Sequence, residues 1–203
     1  AICFFVNCLV MKRIVIQKPG SYNRLEIENF EPRDPRPNEL GIEISYFGIN
    51  YADVVVRMGL YESARVFNGW PITPGFEFSG IVKKLGKSSK RFKLGQKVFG
   101  VTRFGAYSSY INIEEDFIMS LPKGMSLKKA ATFPVTFLTA YYGLFICGNP
   151  KPGMSALVHS GAGGTGSALL QLLQIMDIET AAVIGSSHKR KYLESFYSGT
   201  IID

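Results

Sequence analysis

Residues that ligate metals or form cross-links are scarce in this chain. Its 203 residues include three cysteines, Cys3, Cys8 and Cys147, and two histidines, His159 and His188. The cysteines share no metal-like or paired spacing, which argues against a disulfide framework or a structural zinc lobe and for reduced thiols in a cytoplasmic setting. The nearly apolar opening, Ala1 to Val10, falls short of the ~20 residues of a helical membrane span. It also lacks the basic start of a signal peptide, and Met11-Lys-Arg-Ile-Val-Ile16 reads as a natural beginning. Residues 1–10 are therefore treated as a leader of uncertain origin, and no transmembrane segment is expected. Acidic residues are outnumbered, 16 against 23 Lys and Arg, for a net charge of +7. That balance suits a polyanionic ligand, either a nucleotide cofactor or a nucleic acid. With 46% hydrophobic residues the chain can bury a sizeable core in one or two domains.

Glycine, by contrast, is placed with a pattern. The strand candidate Ser155-Ala-Leu-Val-His159 runs through Ser160-Gly161-Ala-Gly163-Gly164-Thr165-Gly166 into the apolar segment Ser167 to Met176. Gly161, Gly163 and Gly166 hold the G-x-G-x-x-G spacing of a dinucleotide fold, in which a pyrophosphate rests against the unpaired N–H groups at a helix N-terminus. A second strand candidate, Thr180 to Ile184, follows at βαβ spacing and ends in Gly185-Ser186-Ser187. An acid there would hold the ribose 2′-hydroxyl of NAD, whereas His188-Lys189-Arg190-Lys191 suits the 2′-phosphate of NADPH. The expected cofactor contacts here are Gly161, Gly163, Gly164, Thr165, Gly166, Ser186, Lys189, Arg190 and Lys191. The competing readings are glycines that serve packing and a solvated basic turn. His159, inside the strand candidate, is expected to be a core histidine.

Before this region the chain is β-rich. Met11 to Gln17, Gly41 to Tyr46, Phe78 to Val82, Val98 to Gly100 and Gly105 to Ile113 read as short strands, with Asn50 to Met58 as a short helix. Glycine turns between them suggest a partly open barrel. Leu127 to Ala131 and Phe137 to Ile146 have helical character. The segment Lys83 to Lys97 carries basic residues and no acid, which raises RNA binding. Its glycines, and its single aromatic Phe92, read instead as an exposed hairpin with a solvated face, so nucleic acid is not the expected partner.

This order of parts resembles the medium-chain dehydrogenase/reductase superfamily. Gly48-Ile-Asn50-Tyr-Ala-Asp53, Arg57-Met-Gly59-Leu-Tyr61, Pro71-Ile-Thr-Pro74-Gly75, Leu138-Thr139-Ala-Tyr141 and Leu157-Val-His159 are similar to strings of its zinc-independent quinone oxidoreductase branch, in particular the zeta-crystallin and synaptic vesicle amine transport protein group. The resemblance implies an α/β plus β architecture. A GroES-like partly open β-barrel over 11–132, lacking its C-terminal return segment, would be followed over 133–203 by a linking helix and the first part of an incomplete Rossmann NADP-binding domain. Zinc-bearing relatives have cysteine where Asn50 stands and a histidine before the glutamate of Gly75-Phe76-Glu77, so no metal is expected.

Without a metal to polarise an unactivated carbonyl, the implied substrate is already electrophilic, a quinone or an α,β-unsaturated carbonyl reduced by NADPH. The resemblance implies catalytic roles for Asn50, near the nicotinamide or substrate oxygen, and for Tyr61, as a proton donor. It sets Asp53 and Thr139, with Asn50, among the cofactor contacts. The residue types also allow Asn50 or Asp53 to cap the helix and Tyr61 to line an apolar cleft. Because a dinucleotide domain has two halves, the chain reads as a piece of a longer parent enzyme, a homodimer by resemblance; weak NADPH binding and little turnover are expected of the piece itself. The alternative to an oxidoreductase is a non-catalytic NADPH-binding or vesicle-associated protein, with RNA binding a distant third.

Overall fold

The computed structural model describes residues 10–203, in two compact units that meet in sequence at Thr132 and Phe133. The leader expected over residues 1–10 lies, apart from Val10, outside the described residues.

In the first unit β1 (Met11–Ile16) and β2 (Leu25–Phe30) form an antiparallel pair with Ile14 opposite Ile27. The larger sheet contains β3 (Glu39–Phe47), β4 (Glu77–Leu85), β5 (Lys97–Val101), β6 (Tyr110–Glu114) and β7 (Ile118–Ser120), in the order β6-β3-β4-β5-β7 and antiparallel throughout. Among the described residues β1 joins the larger sheet by no ladder and is tied to the loops beside it by isolated bridges, Arg13 to Ser108 and Ile16 to Ile72, so the strands make a partly open barrel.

Alternation explains the packing. Leu40 and Ile42 of β3, Phe78 and Val82 of β4, Val98, Ile113 and Ile118 form one core, each less than a tenth exposed. Fully burying a side chain such as Phe78 stabilises the fold by about 2–3 kcal/mol. The basic segment 83–97 is the β4–β5 hairpin, and its Phe92 joins this core. Lys83, Lys84 and Arg91 pair with Glu43, Asp34 and Asp116 at 2.8, 2.7 and 2.8 Å.

Two short helices, α1 (Tyr51–Arg57) and α2 (Glu62–Phe67), lie in the connection between β3 and β4, and α3 (Leu127–Ala130) follows β7. Val56 of α1 and Ala64 of α2 are buried with Ile16 and Ile72 in a second core cluster.

The second unit begins with α4 (Pro134–Tyr141), which continues through a π-helical stretch, Tyr142–Gly148. Then come β8 (Ser155–Val158), α5 (Gly164–Ile175), β9 (Glu179–Val183), α6 (Arg190–Glu194) and β10 (Thr200–Ile202). The three strands are parallel in the order β10-β9-β8. Leu170 and Leu173, one turn apart on α5, bury against Val158, Ala182 and Ile184. The helix ends at Ile175 with Met176 as its C-cap; Asp177 follows with a left-handed φ of 55°, while the Ile178 N–H closes back on Leu173 O at 3.0 Å. This strand, glycine turn, helix and parallel strand are the opening of a dinucleotide-binding fold, and with the barrel they give the α/β plus β class that the residues imply.

Candidate functional site

The first unit collects its polar groups where β3 leads into α1. Asn50 is the N-cap of α1, and its N–H donates to Asp53 Oδ2 at 2.8 Å. Asp53 Oδ1 accepts the Gly75 N–H at 3.0 Å, and the Tyr107 hydroxyl also bonds to this carboxylate. Asp53 is 5% exposed, and burial raises its pKa despite these three donors. Burial, with the Asp53 charge beside it, likewise drives the Tyr107 phenol up. Asp53, expected among the cofactor contacts, is thus committed to the scaffold: it joins the start of α1 to the loop before β4.

The amide of Asn50 faces the other way. Its Nδ2 donates to Glu77 Oε1 at 2.8 Å, and Glu77, the first residue of β4, is 1% exposed. Gly48 lies directly beneath that carboxylate. A Cβ on Gly48 would stand 2.2 Å from Glu77 Oε1 and 2.7 Å from Ala131 O, so only glycine allows the approach. Sequence reasoning missed Glu77 because it considered the residue only as the remnant of a metal-ligand string; the signal was a buried-strand position opening with an acid.

Tyr61, the N-cap of α2, is half-buried in an aromatic group. Its ring centroid is 5.6 Å from that of Phe76 and 6.4 Å from that of Phe104. The ring is held by packing, as a phenol lining an apolar surface would be.

In the second unit the glycine turn follows β8. Gly161 N–H donates to Val183 O at 2.9 Å, and Gly163 N–H to Ser160 O at 2.8 Å. The first intrahelical bond runs from Ser167 N–H to Gly163 O, which leaves the N–H groups of Gly164, Thr165 and Gly166 ahead of the ladder at the start of a 12-residue helix. Two of the glycines are set by packing as well: a Cβ on Gly166 would stand 2.2 Å from Ser160 O, and one on Gly161 2.9 Å from the Ala182 Cβ. Gly163 and Gly164 are exposed and Thr165 half-buried, so the helix start is open to an anion.

Because β8 and β9 are parallel, this turn and Gly185–Lys189 both lie beyond the carboxyl ends of the strands, where open α/β sheets bind nucleotides. Ser186 Oγ and His188 Nδ1 share a hydrogen bond of 2.7 Å. Lys189 and Lys191 are exposed, whereas Arg190 donates to Ile201 O of β10 at 3.3 Å. Thr139, on α4, is exposed with its hydroxyl donating to Val135 O at 2.7 Å. His159 is not a core residue: β8 ends at Val158, and the imidazole is exposed in the turn beyond it.

The donors present fit a dinucleotide phosphate: open N–H groups at a helix start, then a hydroxyl and free cations at the next strand end, with no acid between Ile184 and Glu194. Among the described residues no group of three or more His, Cys, Asp or Glu is gathered as a metal site, and no helix is long and apolar enough to cross a membrane.

Residues 36–123 match the alcohol dehydrogenase GroES-like domain. The chain is 34% identical over 184 residues to the mouse synaptic vesicle membrane protein VAT-1 homolog-like, covering 91% of this chain and 43% of the mouse protein; it therefore spans under half the length of that relative. Among solved structures it is similar to the Escherichia coli quinone oxidoreductase complexed with NADPH, with a TM-score of 0.85 and 32% identity over 95% of this chain and 58% of that one. It is also similar to the CurK enoyl reductase, with a TM-score of 0.87 and 31% identity over 94% of this chain and 59% of that one. The chain belongs to the medium-chain dehydrogenase/reductase superfamily, in the branch of the quinone oxidoreductases and VAT-1 homologues.

Proposed function

We propose that the protein to which this chain belongs is an NADPH-dependent oxidoreductase that reduces a quinone or an α,β-unsaturated carbonyl without a metal ion, as a homodimer in the cytoplasm. Bound NADPH supplies the hydride. The chain's own residues bind and orient. Gly163, Gly164, Thr165 and Gly166 offer main-chain N–H groups to the pyrophosphate, and Ser186, Lys189, Arg190 and Lys191 hold the 2′-phosphate. Thr139 would contact the nicotinamide. Asn50 meets the oxygen on which negative charge develops, and the Tyr61 phenol delivers the proton.

The observation that carries this reading is the likeness, over 95% of the chain, to a quinone oxidoreductase solved with NADPH. The open helix start at Gly164 and the cations after β9 support it from this chain itself. An amide at position 50 in place of a metal-binding thiolate supports the choice of an electrophilic acceptor, since neutral donors stabilise a delocalised enolate or hydroquinone anion. The VAT-1 relative favours a second reading, a vesicle-associated NADPH-binding protein without turnover. RNA binding through the hairpin 83–97 gains nothing from the structure, where acids neutralise Lys83, Lys84 and Arg91.

Fluorescence titration of NADPH against NADH, with this chain and with the full-length protein, tests the reading. Binding that prefers NADPH at least tenfold and loses the preference in Lys191→Ala, followed by quinone- or enone-dependent NADPH oxidation, is the expected result. NADPH binding without oxidation of any acceptor would favour the vesicle-associated reading. No binding of either nucleotide to the full-length protein would overturn both.

A further inference from the structure

Glu77 has no part in the scheme above, yet it is buried against the residue at its centre. We propose that Glu77 is the positioning residue of Asn50: its carboxylate decides which way the Asn50 amide faces. The inference rests on the reading that Asn50 serves the reacting oxygen.

The two arms of an amide have nearly the same shape, so packing alone does not choose between them; hydrogen bonding does. A carboxylate only accepts, and Glu77 Oε1 lies 2.8 Å from Asn50 Nδ2, so the nitrogen is drawn to the buried side. The flipped amide would set its oxygen against the carboxylate, lone pair to lone pair. Glu77 cannot turn aside to relieve this. Its side chain is sealed at 1% exposure, its carboxylate rests on the bare Cα of Gly48, and its main-chain oxygen accepts the Gly48 N–H at 3.2 Å. The Asn50 main chain is fixed as well, by the bond from its N–H to Asp53 Oδ2. The amide oxygen of Asn50 is turned to the Asp53 N–H in the capping box of α1, which agrees with the side chosen by Glu77, so the second N–H of Asn50 is left as a donor that a ligand always meets in the same place. Preorganisation of this kind removes a reorientation from the reaction.

The test compares Glu77→Leu, Glu77→Gln and Asn50→Ala, singly and combined, in the full-length protein, by steady-state oxidation of NADPH with a quinone and by ¹⁵N NMR of the Asn50 side-chain amide. Glu77→Leu should lower kcat at least tenfold with KM for NADPH within twofold. Glu77→Gln should recover most of that loss, because its carbonyl can still accept from Nδ2. In the Asn50→Ala background Glu77→Leu should lower kcat no further. One Asn50 amide proton, shifted downfield by the carboxylate, should move upfield in Glu77→Leu. Additive losses of kcat, or an amide resonance unmoved by Glu77→Leu, would overturn the assignment. Wild-type kcat in Asn50→Ala would instead remove the role of Asn50 on which it rests, while the NMR shift still decides whether Glu77 orients the amide. If Glu77→Leu does not fold, Glu77→Gln decides: exchanging the charged acceptor for a weaker neutral one should move the downfield proton part of the way upfield, and a proton that does not move at all overturns the assignment.

Discussion

Asp53 and Gly75 are joined across 22 residues by one hydrogen bond, from the Gly75 N–H to Asp53 Oδ1 at 3.0 Å, while the other carboxylate oxygen caps α1 through Asn50. Asp53→Ala strands two N–H groups and should cost about 2–4 kcal/mol, read as a lower urea midpoint. The pH dependence has a definite sign. Burial raises the folded-state pKa of Asp53, so between the unfolded and folded values the native chain holds more protons, and this residue's contribution falls as pH rises. Against Asp53→Asn, whose side chain does not titrate, the wild-type urea midpoint should therefore drop as pH is raised through that window from about 4.

Glu39 behaves oppositely. It is 5% exposed and receives two bonds from the Arg33 guanidinium, at 2.6 and 2.8 Å, and one from the Arg36 N–H at 2.8 Å, which together lower its pKa. Its contribution is present above the ordinary glutamate range and is lost as pH falls through the folded value. Glu39→Gln should cost about 1–3 kcal/mol at pH 7, and the difference from wild type should shrink below about pH 4, measured by thermal melts across pH.

Gly48→Ala tests the packing around Glu77. The added methyl would enter space already occupied by Glu77 Oε1 and Ala131 O, and neither is the free end of an exposed chain. A loss of about 2–4 kcal/mol is expected, as for other overpacked cores. Chemical denaturation measures it; a wild-type midpoint would mean that the carboxylate yields easily.

Ser160 offers the reverse case. Its φ of 52° is left-handed, a conformation that costs a residue with a Cβ about 1–2 kcal/mol. Ser160→Gly should raise stability by about 0.5–1 kcal/mol once the greater freedom of glycine in the unfolded chain is subtracted. A melting temperature unchanged or lowered would count against the strain.

The βαβ opening was legible because its signals are local: glycine spacing, an apolar helix face and a second apolar strand. Phe92 showed only as the lone aromatic of a basic hairpin, and its seat in the core had to come from the fold. β2, by contrast, was hidden. Leu25-Glu-Ile-Glu-Asn-Phe30 alternates, but it pairs with β1 alone, leaves Ile27 74% exposed and is followed closely by Pro32, Pro35 and Pro37, which mark a loop. His159 was misjudged since an apolar run does not tell where a strand stops. The pairing of Asn50 with Glu77 spans 27 residues, and no local pattern encodes such a contact.

The strand order β10-β9-β8 has a consequence for solvent exchange. Amides of β9 point alternately to β8 and β10 and are bonded on both sides, whereas β8 pairs with β9 alone among the described strands, and its Leu157 is 55% exposed. In deuterium oxide β9 should hold its protons longest of these three strands. Within β8, protection should alternate from one residue to the next, so that neighbouring amides of a single strand keep very different time.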